Sequence, residues 1–268
     1  MAIIYHYCSP ETFQKIIENK TLWLSATNNM NDFSEGKWVE DALGRVLRKI
    51  ANEKNKKWCE ELWITMVSNN QPTYVACFSK DGDILSQWRA YAQDGEGVAI
   101  GFDEECLNLE TGRVAFNIDI DKSMKINEIE YINDDDVEIK IQNILNKESL
   151  ENSLGIVTDL VMDLGFLAVT AKSPAFKEEK EKRIIYKPLI LINEGEKHVL
   201  SIDHGREIKY RISNGYLISY FEFQFSPESI KEIILGPKNK FSQHDMDKFM
   251  YSNKLGKTKI KQSKATYR

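Results

Sequence analysis

Tyr74 to Phe102 reads YVACFSKDGDILSQWRAYAQDGEGVAIGF. Tyr74–Ser79 is short, apolar and aromatic, as a strand requires. Ile84–Ala92 has room for two helical turns, in which Trp88 and Tyr91 lie three apart and share a face. Gly95 and Gly97 punctuate, and Val98–Phe102 is again a strand. This GxG precedes a strand instead of joining a strand to a helix, and it has no third glycine. It is therefore not the fingerprint of a dinucleotide-binding βαβ unit.

The same irregular alternation continues in both directions. Ile3–Tyr7 is expected to be a strand, followed by a helix with Ser9 as N-cap, Pro10 at its first position and Phe13, Ile16 and Ile17 on one face. Thr21–Ser25 reads as a strand. Asn28–Glu35 reads as a loop, in which Asp32 and Glu35 can form a capping box. Helices are expected over 36–55 and 57–68 and over most of 137–171, with a break near Gly155. Strands are expected at 113–118, 125–132, 182–186, 216–225 and 230–235, and a short helix at 245–253. Without a βαβ rhythm, the fold class is α+β: a mixed or antiparallel sheet with flanking helices. No repeat and no Gly/Ser/Pro-rich linker divides the chain, so residues 1–268 are read as one domain, with 254–268 a basic tail free to be flexible.

Composition narrows the class. Of 268 residues, 42% are hydrophobic, enough for a large core. No stretch approaches the roughly 20 consecutive apolar residues of a membrane span. Met1–Ser9 lacks the features of a signal peptide, so a cytoplasmic protein without membrane contact is expected. The four cysteines are scattered without metal-ligand spacing, and no metal site is expected. The net charge of −5 hides an uneven distribution: from Lys238 onward there are nine Lys/Arg against two Asp. Such a tail can meet phosphates or remain solvated.

Four segments can carry chemistry. In Tyr5-His6-Tyr7 the imidazole can bond a ribose hydroxyl or serve as acid or base, or it can be structural. The Asn28–Glu35 loop can line a site. Ser79, Trp88, Arg89 and Tyr91 belong to the densest segment, whose aromatics suit either stacking on a base or the core. In Phe176–Arg183, period two would place Glu179, Glu181 and Arg183 on one strand face, a pattern that suits stabilising a cation, or simply a solvated charge run. Walker, HExxH, GxSxG and kinase signatures are missing.

Taken together, Tyr5-His6-Tyr7-Cys8-Ser9, Met30-Asn31-Asp32 with Glu35, Cys77-Phe78-Ser79, Leu85 through Asp103, Phe176 with Glu179, Glu181 and Arg183, and Ile230 through Pro237 resemble an uncharacterised bacterial domain family. That family is distantly similar to NAD-consuming ADP-ribosyltransferases of the nucleic-acid-modifying toxin type. The resemblance implies NAD as substrate, with His6 and Tyr7 on the adenosine-side ribose, Trp88 or Tyr91 near nicotinamide, Ser79, Arg89 and Arg183 as further contacts, and Glu181 or Glu179 at the reacting ribose. It implies a nucleic-acid or protein acceptor, a toxin or phage-defence role, and an antitoxin or other regulatory partner. Two alternatives stand beside it: a non-catalytic sensor or adaptor that binds a nucleotide or protein, and a nuclease with Glu179, Glu181 and Asp103 around Mg²⁺.

Overall fold

A computed structural model describes all residues except 1, 30–33, 69–71, 116–119, 147–153, 189, 194–197, 202–205, 214 and 268. The Asp32–Glu35 capping box lies outside the described residues and side chains. In chain order the first half comprises β1 (Ile3–Cys8), α1 (Pro10–Asn19), β2 (Thr21–Ala26), α2 (Ser34–Ile50), α3 (Lys56–Ser68), β3 (Tyr74–Ser79), α4 (Leu85–Tyr91), β4 (Val98–Asp103), α5 (Ile120–Ser123), β5 (Met124–Glu128), β6 (Glu130–Tyr131) and α6 (Asp134–Asn146). The second half comprises α7 (Leu154–Thr170), β7 (Ala171–Lys172), β8 (Glu181–Tyr186), β9 (Ile190–Asn193), β10 (His198–Ser201), β11 (Lys209–Ser213), β12 (Tyr216–Gln224), β13 (Ile230–Leu235), α8 (Gln243–Ser252) and β14 (Lys259–Gln262). The fold is α+β, as expected.

Local signals act where they were read. Ser9 accepts from the Thr12 amide at 3.2 Å, Pro10 opens α1, and Phe13, Ile16 and Ile17 are buried. Lys20 closes the helix in the left-handed region at φ 55°. The expected strand over 113–118 is not found among its described residues, and β11 was not anticipated.

The main sheet forks at β3. β8 pairs along the whole of one edge of β3, from Tyr74↔Tyr186 to Ser79↔Glu181. A strand has only two edges, so β1 and β2 share the other. β2 takes its start, through Ser25↔Val75 and Ala26↔Tyr74, and β1 its end, through Tyr5↔Ser79. One wing then runs β2-β12-β11 and the other β1-β4-β13-β14, with β5 outside β8. Every pairing in this sheet is antiparallel except β13 with β14.

Both wings bury side chains against α1 and α8, among them Leu24, Phe78, Phe102, Phe221 and Met250. On the opposite face, Val75 of β3 and Ile185 of β8 pack on Phe166 and Val169 of α7. The other side of α7 closes a helical cluster with α2, α3 and α6. That double burial explains why α7 is apolar nearly all round.

The glycine motifs form a clasp between β4 and β13. The Gly236 amide donates to the Gly97 carbonyl at 3.0 Å, and that of Lys238 to Gly95 at 2.9 Å. Asn239 donates to the carbonyls of Glu96 and Gly97. A Cβ on Gly97 would sit 2.1 Å from the Cys8 carbonyl oxygen. The tail beyond residue 254 is packed in part. β14 extends the sheet, Ser263 and the Lys264 amide bond Asp83, and Tyr267 donates to Asp94 at 2.9 Å. Basic residues of the C-terminal region meet acids of the body, as in Lys261–Glu232 at 2.5 Å and Lys240–Glu96 at 2.8 Å.

Gly97→Ala is expected to cost at least about 1–3 kcal/mol, because the clash is with backbone and no side chain can yield. Gly36→Ala, on an open face of α2, should be neutral or stabilising by up to about 1 kcal/mol. Urea denaturation of the two variants checks this, and equal midpoints would contradict the clasp.

Candidate functional site

The fork leaves a gap in the hydrogen bonding of β3. Val75 is matched by β2 and Ser79 by β1, while Cys77 lies between and has neither as a strand partner. The His6 ring fills the gap, with Nδ1 2.9 Å from the Cys77 carbonyl oxygen. The carbonyl can only accept, so this nitrogen carries the proton. Burial pushes the His6 pKa down against the opposing pull of that hydrogen bond, and the nearby positive charge of Arg211 pushes it down further. A neutral imidazole results at pH 7.

Register fixes what surrounds Cys77. Opposed residues share a sheet face, so the pairs Cys77↔Arg183 and Ser79↔Glu181 place Cys77, Arg183 and Glu181 together. There Arg183 Nε donates to Glu181 Oε1 at 2.6 Å and Nη2 to Oε2 at 3.0 Å. Lys172, just past the end of α7, reaches Glu181 at 3.1 Å and Glu179 at 2.6 Å. Tyr91 donates to the other oxygen of Glu179 at 3.2 Å. The Lys172 ammonium also lies 4.6 Å from the Phe176 ring centroid. The four charges are buried, whereas Tyr91 is 40% and Phe176 37% exposed. Cys77 and His6 are only partly buried, so the cluster opens to solvent at its rim.

The two carboxylates differ. Burial would raise the Glu181 pKa, but Arg183 and Lys172 hold it below the ordinary value. Both of its oxygens are engaged by cations. Glu179 has one oxygen on Lys172 and the other on a tyrosine at the rim. The Cys77 thiol is pushed well above its ordinary pKa by burial and by Glu181, so it is no thiolate nucleophile at neutral pH.

Several expectations require correction. Glu179 is not on a strand. It ends a 3-10 turn, and Lys180 at φ 46° separates it from β8. Trp88 does not share the exposure of Tyr91: it is 0% exposed, set edge-on to Tyr7 at 4.8 Å and bonded to Asp83 at 2.8 Å, which leaves no ring face for a ligand. Tyr7 is buried too, its hydroxyl donating to the Asp81 carbonyl and accepting from the Ile84 amide. Ser79 donates to the Glu179 carbonyl at 2.7 Å and holds the turn rather than a ligand. Arg89 faces an outer groove with Ser86 and Asp94 and stacks on Tyr267. Arg183 is buried and spends its guanidinium on Glu181 and the Val169 carbonyl. Tyr91, Glu179 and Glu181 gather on the Cys77 face of the sheet, whereas the Tyr5↔Ser79 pairing turns the His6 side chain toward the other face, where its ring lies 5.8 Å from that of Phe78 and only Nδ1 reaches the Cys77 carbonyl. Asp103 pairs with Lys231 and Cys106, and among the described residues no group of three His, Cys, Asp or Glu could hold a metal ion. No described helix is long and apolar enough to cross a membrane.

Sequence reading missed Lys172 and Tyr131, whose hydroxyl accepts from the Glu181 amide at 2.7 Å. A lone lysine closing the apolar run of α7 was the available signal.

Residues 87–184 match the family model described as Protein of unknown function (DUF2971). The match runs from α4 to β8 and contains Tyr91, Lys172, Glu179, Glu181 and Arg183, but neither His6 nor Cys77. No curated protein and no solved structure matches the chain. These comparisons connect part of the site to a family without an assigned activity and lend nothing to the likeness to ADP-ribosyltransferases.

Because Glu181 is held ionised, its stabilising effect is present above its unfolded pKa of about 4.3 and is lost as pH falls through its lower folded value. Glu181→Gln should cost about 3–5 kcal/mol at pH 7, by leaving buried cations short of a partner, and should flatten the acid limb of the stability curve. Urea midpoints from pH 7 to pH 3 test this. Equal stability of variant and wild type at pH 7 would contradict the ion cluster.

Proposed function

We propose that the chain binds NAD over Cys77 and breaks the nicotinamide–ribose bond. The ADP-ribosyl group then goes to a nucleic-acid or protein acceptor, or to water. The observation that carries this reading is the convergence of two carboxylates and a rim tyrosine on the Cys77 face of the sheet, with a neutral histidine at the edge of β3 bonded to the Cys77 carbonyl. The toxin or phage-defence role, and with it an antitoxin partner, rests on family resemblance alone.

The chemistry asks little beyond electrostatics. The C1′–N1 bond breaks, and its electron pair stays with the pyridinium nitrogen, which departs as neutral nicotinamide. Positive charge builds on the ribose, as in glycoside cleavage. The acceptor's oxygen or nitrogen forms the new bond to C1′ and gives up its proton. Glu179 suits both tasks: its carboxylate is fixed by Lys172 and Tyr91 and lies nearer the rim than Glu181. Glu181 then orients Lys172 and Arg183. His6, with its proton on the Cys77 carbonyl, has Nε2 free of a proton and able to accept from a ribose hydroxyl.

Nicotinamide release from NAD by the purified protein tests the reading, with and without RNA, DNA or cell lysate. Glu179→Gln should lower release per folded molecule about 100- to 1000-fold, the usual cost of losing one fixed electrostatic group, together with some loss of stability from the buried Lys172 that it pairs. No release in any mixture from folded wild type would reject the proposal. It would favour a non-catalytic nucleotide or protein binder.

A further inference from the structure

Among the described residues, Arg211 on β11 has no carboxylate partner. Opposed pairs carry one face across the sheet: Arg211↔Ile218, then Tyr220↔Ser25, Ser25↔Val75 and, two residues along β3, Cys77. Arg211 therefore stands on the same face as Cys77 and Glu181. Its Nη2 donates to Ser25 Oγ at 3.0 Å, and its guanidinium lies 5.2 Å from the centre of the Trp23 ring. Tyr220 packs on Trp23 in turn, at 5.1 Å. The Nε proton is buried with no acceptor. No carboxylate acts on Arg211 among the described residues, and Glu222 of β12 is taken by Lys209 at 2.7 Å.

An arginine remains charged whatever its burial. A partly buried guanidinium with an unspent donor is a cost to the fold unless something binds it. Its planar fork matches an oxyanion such as a phosphate. The stack and the Ser25 bond fix its direction in advance, which reduces the entropy lost on binding. The guanidinium reaches back to Ser25 on β2, which pairs with Val75, so it lies one strand spacing, ~5 Å, across and two residues, ~7 Å, along β3 from Cys77, or about 8–9 Å away. A diphosphate on a ribose over Cys77 can reach that far.

We propose that Arg211 and Ser25 form the subsite for the diphosphate of a nucleotide whose sugar lies over Cys77. This deepens, and rests on, the reading of the site as one for NAD. ADP separates the two ideas, because it carries the diphosphate and has no nicotinamide bond to break.

Calorimetric titration of the full chain with ADP, pyrophosphate and adenosine tests the subsite. ADP should bind, with adenosine far weaker. Arg211→Met, which keeps an unbranched chain over Trp23, should weaken ADP about 10- to 100-fold without lowering the thermal midpoint. The assignment is overturned if wild type binds no ADP, if pyrophosphate binds as tightly as ADP, or if Arg211→Met binds ADP as wild type does. Should Arg211→Met fail to fold, Ser25→Ala gives the deciding reading, and unchanged ADP affinity there overturns the assignment equally.

Discussion

The bond from His6 to the Cys77 carbonyl is the constraint on which the rest of this arrangement depends. A sheet that divides must leave some backbone group at the point of division without a strand partner. Burying such a group unbonded costs about 1–3 kcal/mol. An imidazole on β1 supplies the missing donor from one wing. The two wings can then diverge at Cys77 while β3 remains continuous, and the face above Cys77 becomes the meeting place of residues from β7, β8, the 3-10 turn between them and α4. The same bond fixes the tautomer of His6, so structure and chemistry are set by one contact.

The ion cluster beside it has the opposite character. Lys172 and Arg183 against Glu179 and Glu181 sum to zero charge among the four, yet each is removed from most of its water. Such an arrangement is poor value as simple stabilisation, because apolar side chains of the same volume would hold as well. Its merit is preorganisation: a carboxylate near solvent whose position is imposed by partners that are themselves locked.

Much of this was legible in the residues. The α1 cap, the strands at Tyr74 and Glu181 and the α+β class follow from short-range rules that the structure obeys. A shared cleft for His6 and Glu181 was expected from resemblance and not from spacing; the register instead turns the His6 ring to the other face, toward Phe78. What failed did so for identifiable reasons. Glu179 was placed on a strand because period two extends naturally back from Glu181, but Lys180 adopts a left-handed conformation that no side-chain pattern signals. Trp88 could serve core or ligand equally, and only the position of Asp83 and Tyr7 decides for the core. Strand β11 alternates charge with aromatic and aliphatic residues on an exposed edge, with Tyr210 and Ile212 open to solvent, so it carries no burial signal. Arg211 carries no signal in the sequence, because what sets it apart is the absence of a carboxylate partner among the described residues.

The division of β3 also bears on how the chain folds. Its three neighbours come from Tyr5, Ser25 and the segment beginning at Glu181, so no hairpin assembles it. One whole edge waits for residues that leave the ribosome about a hundred positions later. Non-local pairing of this kind slows folding, and an apolar strand with an open edge is prone to associate with other chains meanwhile. During synthesis the helices between β3 and β8 emerge first and can form locally. The centre of the molecule thus closes only after β8 has emerged, and nascent chains truncated before Glu181 will hold a β3 with one open edge that invites chaperones or aggregation.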